Sequence, residues 1–391
     1  IYNRIYHPFG YVRPEDGGTM VEYQALKNHV TMWDVAVERQ IMVKGPDAEA
    51  FVDYVITRDA TQIPPMRAKY VILCNNMGGV LNDPILLRLS KDEFWFSLAD
   101  SDIGIYLQGV NHDNRFDVVI DEIDVCPLQI QGPKSLALME DLVGNQADVK
   151  NLPFYGMLEA KIGGHDCVIS QTGFSGEAGF EIYLRDATLH ADDLWYAVLE
   201  AGRKYQLMVT APPHCRRIQA GILSWGQDMD NQHNPFQCNL GYQVSLSGKG
   251  EWNKAGNYIG KDVLEQMQSE LKSGKRPYKL QLVGLKMGGK PIEDFANDFW
   301  LISADDSTEP CGFVTSPWFH PDEKTNIAMA YVPFDGTLNR HGFPIGNYGQ
   351  KFKVHLPDKY AEKAGEPVDA EVVKMPFTTS VNLNIREIID S

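Results

Sequence analysis

The sequence predicts an α+β protein of more than one domain that ends in an all-β domain. The chain has 391 residues, which is too long for a single hydrophobic core. Up to residue 270, amphipathic helical patterns alternate with period-two strand patterns. After residue 280 only short alternating segments remain, with turn residues between them. That pattern is typical of an all-β domain.

One order of elements occurs twice. Residues 33–43 alternate like a strand, Gly45 and Pro46 break the pattern, and an apolar stripe at helical spacing follows. The same order of strand, Gly-Pro and helix returns at residues 127–143. Two such units indicate an internal duplication of α/β elements within one body.

Periodicity places the remaining elements. Helices are predicted at 20–30, 102–110, 191–205 and 261–270, and a further helix carries Arg217, Ala220 and Leu223. A hairpin is predicted with its tip at Gly78 and Gly79, and the polar segment 271–279 is a linker. Strands are predicted at 70–73, 85–89, 93–98, 117–123, 280–286, 300–303, 311–315, 327–332, 352–355 and 370–374.

Composition excludes several classes of function. The net charge of −16 argues against nucleic acid as the main partner. The sequence has no apolar run long enough to span a membrane and no apolar signal core at its start, and its six scattered cysteines are typical of reduced thiols, so we expect a cytoplasmic protein. The histidines lack ligand spacing, and Asp228 and Asp230 lack a complete ligand set, so no metal is expected.

The stretch 171–184 is a candidate binding element. Three glycines and a serine form a tight turn, after which Glu181 and Tyr183 alternate with apolar residues. This predicts a strand with Glu181 and Tyr183 on one face. A carboxylate on a rigid strand beside a glycine turn is suited to holding a flat heterocycle. The same pattern also fits an ordinary hairpin with a solvated glutamate.

Other residues carry weaker signals. Asp83 follows a glycine hairpin and is suited to orienting an amine or accepting a proton, although Asn82-Asp83 before a proline also fits an Asx-turn. Arg217 is suited to clamping an acidic group. Aromatic residues that would bind a cation, or simply fill the core, include Trp33, Tyr155 and Phe174. Motifs for dinucleotides, nucleoside triphosphates and serine hydrolysis are absent from the sequence.

Nine segments, in chain order, resemble the glycine-cleavage T-protein (aminomethyltransferase) superfamily. They are MWDVA, VKGPDA, MGGVLNDPI, PLQIQGPKS, TGFSGEAGFEIY, RIQAGILSWGQDMD, YIGKDVL, GFVTSPWFHPDEKTNIAMAYVP and VVKMPF. Within the superfamily, HVTMWDVAVERQ, GGVLNDPILL and FSLADSD are most similar to the tetrahydrofolate-dependent dimethylsulfoniopropionate demethylases.

The resemblance implies three domains in a cloverleaf with tetrahydrofolate in a central channel. The implied domains are a discontinuous α/β folate-binding domain at 1–50 and 145–260, a ferredoxin-like α/β domain at 51–144, and a C-terminal β-barrel domain at 280–391. The partners implied are tetrahydrofolate as methyl acceptor and a small methylated substrate, and a homodimer is left open.

The resemblance also implies roles for residues. Glu181 would pair with the N–H and amino group of the pterin ring. The other folate-binding residues would be Tyr183, Arg217 and Asp100. The catalytic residues would be Asp83 and Tyr183, and the residues that bind the methyl donor would be Trp33, Tyr155 and Phe174. T-proteins carry an acid where Asn82 stands, which leaves Asp83 for the acidic role.

The implied reaction is methyl transfer from a small donor, such as the sulfonium dimethylsulfoniopropionate, to N5 of tetrahydrofolate. The turn Phe174-Ser175-Gly176-Glu177 departs from the demethylases, which carry Trp followed by Ser-Lys-Gln, so the identity of the donor stays open. The alternatives are an aminomethyltransferase of glycine cleavage and an O- or N-demethylase. A non-catalytic folate-binding relative is disfavoured because the chain lacks the K-G-C-Y-x-G-Q-E motif.

Overall fold

The computed structural model describes residues 9–98, 101–246, 254–296 and 298–378. The chain divides into a first unit of residues 1–73 and 81–213 and a second unit of residues 74–80 and 214–391. The helices are α1 (Gly18–Asn28), α2 (Ala48–Val55), α3 (Ile103–Val110), α4 (Ser135–Val143), α5 (Ala187–Gly202), α6 (His214–Gln219) and α7 (Lys261–Lys272).

The strands before residue 210 are β1 (Val30–Asp34), β2 (Gln40–Lys44), β3 (Arg67–Tyr70), β4 (Leu73–Cys74), β5 (Val80–Asn82), β6 (Ile85–Arg88), β7 (Glu93–Ser97), β8 (Val119–Glu122), β9 (Val125–Gln131), β10 (Met157–Ile162), β11 (His165–Ser170), β12 (Gly179–Arg185) and β13 (Leu207–Val209). The later strands are β14 (Leu280–Met287), β15 (Trp300–Ala304), β16 (Pro310–His320), β17 (Thr325–Pro333), β18 (Lys351–Val354) and β19 (Val368–Val373).

A six-stranded sheet in the first unit carries the candidate binding strand β12. Its strand order is β10-β11-β12-β9-β1-β13. Only the pair β1–β13 is parallel. The apolar residues of β12 face a core that also takes side chains from α4 and α5, among them Phe180, Ile182, Leu138, Leu194 and Val198. Alternation along the strand therefore sends Glu181 and Tyr183 to the opposite face of the sheet.

A five-stranded antiparallel sheet, with the order β3-β6-β7-β2-β8, completes the first unit. Its side chains Ala68, Leu87 and Trp95 share a buried cluster with Val168 and Tyr183 of the six-stranded sheet. The two sheets of this unit therefore meet on the side that carries Tyr183.

The duplicated order of elements is present in both sheets. β2 leads through Gly45 into α2, and β9 leads through Gly132 into α4. Both glycines have positive φ, 151° and 123°. A Cβ at Gly45 would lie 2.3 Å from the Asp117 carbonyl oxygen, and one at Gly132 would lie 2.6 Å from that of His29. At both positions the backbone therefore requires glycine.

The second unit contains a closed antiparallel barrel with the strand order β14-β17-β16-β15-β18-β19. Its interior is apolar and includes Leu285, Ile302, Ala328 and Val354. The polar segment before β14 leads from α7 into this barrel. In the part of the chain that the structure describes, every helix is too short or too polar to cross a bilayer.

The predicted α+β fold is confirmed, and so are the six strands of the terminal β region. Three element predictions are wrong. The strand predicted at 70–73 is interrupted, because β3 ends at Tyr70 and β4, which belongs to another sheet, begins at Leu73. Residues 33–43 form two strands in different sheets, because Asp34 Oδ1 accepts a 3.0 Å bond from the Ala36 amide and the chain turns before β2. The predicted helix around Arg217 ends at Gln219, because Gly221 adopts a φ of 63°. The domain boundaries inferred from the resemblance stay a prediction.

Gly312 on β16 provides a test of the barrel. A Cβ there would lie 2.2 Å from the Tyr331 carbonyl oxygen on the neighbouring strand. We expect Gly312→Ala to lower the free energy of unfolding by about 1–3 kcal/mol, because overpacking forces the backbone to shift. Urea denaturation measures the change. Gly109→Ala in α3, where a Cβ meets nothing within 4 Å, is the matched control, and an equal loss in both variants would contradict the packing argument.

Candidate functional site

Four buried side chains form a row across the six-stranded sheet, on the face opposite to α4 and α5. Strand register pairs Ser170 with Glu181, Glu181 with Gln129, and Gln129 with Trp33. Directly paired residues project on the same face of a sheet. Glu181 therefore lies within a continuous polar row that ends at the Trp33 indole, and we call these four residues the polar row.

The Glu181 carboxylate is held by three protein donors. Gln129 Nε2 donates to Oε1 at 2.6 Å, while Thr172 Oγ1 and the Tyr183 hydroxyl donate to Oε2 at 2.6 and 2.7 Å. Only 4% of Glu181 is exposed. A carboxylate accepts about four hydrogen bonds, so the acceptor capacity that remains belongs mainly to Oε1.

Two atoms of the polar row have no hydrogen-bond partner among the described residues. They are Gln129 Oε1, an acceptor, and Trp33 Nε1, a donor, and both are buried. Buried polar atoms are nearly always paired, so such exceptions need an explanation. An acceptor, a donor and a partly used carboxylate along one row fit a planar ligand that carries donors and acceptors on its edge. The pterin of tetrahydrofolate is such a ligand.

The glycine turn before β12 is shaped around Gln131. Its Nε2 donates to the Thr172 carbonyl oxygen at 3.1 Å, and its Oε1 accepts from Ser175 Oγ at 2.7 Å. A Cβ at Gly173 or Gly179 would lie within 2.1 or 2.4 Å of the Gln131 side chain. These glycines let the turn close over Gln131, which fixes Thr172 where it bonds Glu181.

A second carboxyl group, Glu38, influences the same site. Burial raises the pKa of Glu38 well above its usual range, and the negative charge of Glu181 adds to the shift. Burial also raises the pKa of Glu181, against the lowering effect of its bonds from Thr172 and Tyr183. Ser97 Oγ lies 3.4 Å from Glu38 Oε2 and accepts a 3.0 Å bond from Gln40 Nε2. Like charges at close range disfavour ionising both acids together.

Tyr183 is a hydrogen-bond donor in this site and not a base. Burial and the charges of Glu181 and Glu38 raise the pKa of its phenol well above the ordinary value. The phenol therefore stays protonated at neutral pH and is a weak proton donor toward a leaving group.

The predicted donor-binding residues fall in two clusters. Trp33 and Phe174 pack together with Leu26 and Val35. Tyr155 packs instead against the cluster that contains Tyr183. Its backbone has a positive φ of 62°, and its ring lies 4.2 Å from that of Phe154. The contacts thus join two of the three residues directly and associate the third with Tyr183.

The segment Asn82-Asp83 lies at the end of β5. Asn82 is fully buried, and its Nδ2 donates to Ser101 Oγ at 2.7 Å, while its Oδ1 has no hydrogen-bond partner within the described part of the chain. Asp83 Oδ2 accepts a 2.8 Å bond from the Tyr70 hydroxyl. An amide at residue 82 adds no negative charge, so Asp83 is the acid of this pair.

Arg217 belongs to the second unit, where its guanidinium forms an internal network. It donates to Asp228 Oδ2 at 2.7 Å, to Ser316 Oγ at 2.8 Å and to the Ile222 carbonyl oxygen at 3.1 Å. Its Nε also donates to Nδ1 of His214, whose pKa is lowered by burial and by the Arg217 charge. Asp228 is thus engaged by Arg217, and the folate-binding role of Arg217 stays a prediction.

Asp100, the remaining predicted folate-binding residue, lies outside the described residues. Sequence reasoning missed Gln129, Thr172 and Glu38 at the site. Gln129 alternates with apolar residues in the β9 segment, but its pairing with Glu181 depends on strand register, which the pattern alone does not define.

The α+β fold thus places a buried polar row, with two atoms unpaired among the described residues, on one face of the six-stranded sheet. A family model described as the GCVT N-terminal domain matches residues 3–248, and the chain belongs to this family. The chain is an enzyme of one-carbon transfer that uses tetrahydrofolate, as the sequence predicted.

Individual relatives agree with this assignment. The chain is 33% identical to dimethylsulfoniopropionate demethylase DmdA of Ruegeria pomeroyi over 78% of this chain and 79% of that protein. It is 29% identical to an aminomethyltransferase of Thermotoga maritima over 91% and 88% of the two chains. The crystal structure of the glycine cleavage system aminomethyltransferase T from Bartonella henselae shares the fold, with a TM-score of 0.74, 23% identity and coverage of 93% and 90%.

The raised pKa of Glu38 predicts a pH dependence of stability. A carboxyl group with a raised pKa in the folded state contributes stability at low pH that is lost as pH rises through the folded pKa. We expect Glu38→Gln to remove part of this loss, so that the variant gains stability relative to the parent between pH 5 and pH 9.

Urea denaturation across that pH range measures the effect. Glu15→Gln, on an exposed side chain, is the control and should follow the parent curve. Parallel curves for Glu38→Gln and the parent would show that Glu38 is not the titrating group.

The buried pair of Arg217 and Asp228 predicts a large loss of stability on mutation. Asp228 also accepts bonds from Thr315 and Ser316 at 2.6 and 2.5 Å. We expect Asp228→Asn to lower the free energy of unfolding by about 3–5 kcal/mol, because it leaves Arg217 buried without a counter-charge. Asp230→Asn, at a half-exposed carboxylate that bonds His233, should cost about 1 kcal/mol or less in the same urea assay.

Proposed function

We propose that the chain is a demethylase that transfers a methyl group from a small sulfonium donor, such as dimethylsulfoniopropionate, to N5 of tetrahydrofolate. The observation that carries the proposal is the polar row, in which Gln129 Oε1 and Trp33 Nε1, both unpaired among the described residues, follow the buried Glu181 on one side. The relative from Ruegeria pomeroyi, whose name states such a demethylase, supports the choice of donor.

In this proposal Glu181 and Gln129 hold the edge of the pterin. Gln129 Oε1 and Glu181 Oε1 would accept from its N–H and amino group, and Trp33 Nε1 would donate to a ring acceptor. Pairing a buried acceptor with a ligand donor removes the penalty of leaving that acceptor unsatisfied. The three donors already on Glu181 would fix the orientation of its carboxylate, so the site is organised before the ligand arrives.

The aromatic pair Trp33 and Phe174 is proposed to contact the methyl donor, with Tyr155 on the side of Tyr183. Aromatic faces attract small cations that lack hydrogen-bond donors, and a sulfonium is such a cation. The pair is contiguous with the polar row, because Trp33 belongs to both groups.

A sulfonium also suits the electrostatics of Tyr183. The bond between sulfur and the methyl carbon breaks, its electron pair stays on sulfur, and a neutral thioether leaves without needing a proton. N5 of tetrahydrofolate is the nucleophilic amine, and it forms the new carbon–nitrogen bond with the methyl group. Asp83 is proposed to take the proton that the amine loses. An ether donor would need an acid to protonate its leaving oxygen, and the raised pKa of Tyr183 disfavours that role.

The second candidate is an aminomethyltransferase of glycine cleavage. It is favoured by relatives such as the aminomethyltransferase of Caldanaerobacter subterraneus, to which the chain is 30% identical. Asn82 counts against it, because T-proteins carry an acid at this position.

One experiment separates these functions. The purified chain is incubated with tetrahydrofolate and, in separate arms, dimethylsulfoniopropionate, glycine betaine, a methoxy compound, and aminomethylated lipoyl carrier protein. The proposal predicts 5-methyltetrahydrofolate and 3-(methylthio)propionate in the sulfonium arm, detected by mass spectrometry. Methylenetetrahydrofolate from the carrier arm alone would establish the aminomethyltransferase instead. No 5-methyltetrahydrofolate from the sulfonium arm would refute the proposal.

The proposed role of Glu181 predicts a kinetic change. Glu181→Gln replaces an acceptor-only carboxylate by an amide, and we expect kcat/KM for tetrahydrofolate to fall by about 10- to 150-fold, the range for a hydrogen bond to a charged group. The control Glu159→Gln, on β10 of the same sheet, where the carboxylate pairs with Arg185, should change it less than twofold. Similar losses in both variants would argue against a pterin contact at Glu181.

A further inference from the structure

A cluster of two histidines and one aspartate lies on the edge of the first unit, outside the polar row. His165 is the first residue of β11, and His190 and Asp193 lie one turn apart on α5. Residues spaced by three on a helix project from the same face. Their nitrogen and carboxylate ligand atoms all lie within 4.8 Å of one another.

The distances between these ligand atoms are close to those found around a bound metal ion. His165 Nε2 lies 3.0 Å from Asp193 Oδ2, and the rings of His165 and His190 stack with centroids 4.0 Å apart. Zinc bound at about 2.0–2.1 Å in tetrahedral geometry places neighbouring ligand atoms roughly 3.3 Å apart. The first pair already meets that spacing, and rotation of the His190 side chain would bring its nitrogen to the same centre.

The β10–β11 hairpin and α5 hold the cluster in place. The β10–β11 hairpin is anchored by buried Ile162 and Cys167, and α5 is anchored by buried Leu194 and Val198, all in one core cluster. The side chain of His165 is 20% exposed and that of Asp193 is 65% exposed. An ion therefore reaches the cluster from solvent without any movement of the backbone.

We propose that His165, His190 and Asp193 form a binding site for a divalent ion of the zinc, nickel or copper class, with water completing the coordination. Two imidazole nitrogens and one carboxylate oxygen suit these ions better than magnesium or calcium, which prefer oxygen ligands. The ion connects the β10–β11 hairpin to α5 and stabilises the folded state, because it binds the folded cluster in preference to the unfolded chain. The proposal is independent of the methyl-transfer function.

The test uses the full chain after dialysis against chelator. Calorimetric titration with ZnSO₄ is expected to show one site per chain with micromolar or tighter affinity, and saturating zinc is expected to raise the melting temperature. His165→Ala and His190→Ala should each weaken zinc binding at least tenfold and abolish the thermal shift. In the Cu²⁺ form, electron paramagnetic resonance should show coupling to two nitrogens in the parent and to one in either variant.

His112→Ala is the matched control, because His112 is an exposed histidine of the same unit that bonds only the Gly109 carbonyl oxygen in the described contacts. It should bind zinc like the parent. Circular dichroism of each metal-free variant shows whether it has folded. Undiminished affinity in both His165→Ala and His190→Ala, or saturation of the parent only at millimolar zinc, would overturn the proposal.

Discussion

A buried carboxylate is stable only where the protein replaces the hydrogen bonds that water would have made. Glu181 meets this requirement through Gln129, Thr172 and Tyr183, which come from the adjacent strand, the preceding turn and its own strand. Each donor depends on another part of the fold. Thr172 depends on the glycine turn around Gln131, and Gln129 depends on the register of β9. The position of one carboxylate in the candidate site thus depends on both the sheet and the turn.

In the second unit the buried charge is positive, and it too is stabilised by protein groups in place of water. There Arg217 is a buried cation, and Asp228 is its counter-charge, supported by Thr315 and Ser316. The donors of Arg217 are largely engaged within this network, so its charge is compensated inside the unit. Glu181, by contrast, has no cationic partner among the hydrogen bonds described. It shares its surroundings with a second acid, Glu38, and its charge is therefore balanced less completely. That difference supports the proposal that Glu181, and not Arg217, contacts the ligand.

Local patterns predicted most of the fold, because helical and strand periodicity are properties of short segments. The alternation at 180–184 correctly placed Glu181 and Tyr183 on one face, and the barrel strands were found by the same signal. The strand predicted at 33–43 was wrong because Val35 and Val37 continue the alternation through a turn. The partners of Glu181 could not be predicted, because strand register and the sheet order β12-β9-β1 depend on contacts between distant segments. For the same reason His165, His190 and Asp193 were not recognised as neighbours.

The electrostatics of the site bear on which donor can react there. Two acids close to one phenol make proton donation by that phenol unfavourable, since its anion would form beside negative charge. A leaving group that departs neutral avoids this requirement, whereas an alkoxide does not. The same negative surroundings favour a positively charged substrate, and a sulfonium meets both conditions. Under the proposed function, Glu38 would therefore influence donor choice through its charge, which adds to that of Glu181 in raising the pKa of Tyr183.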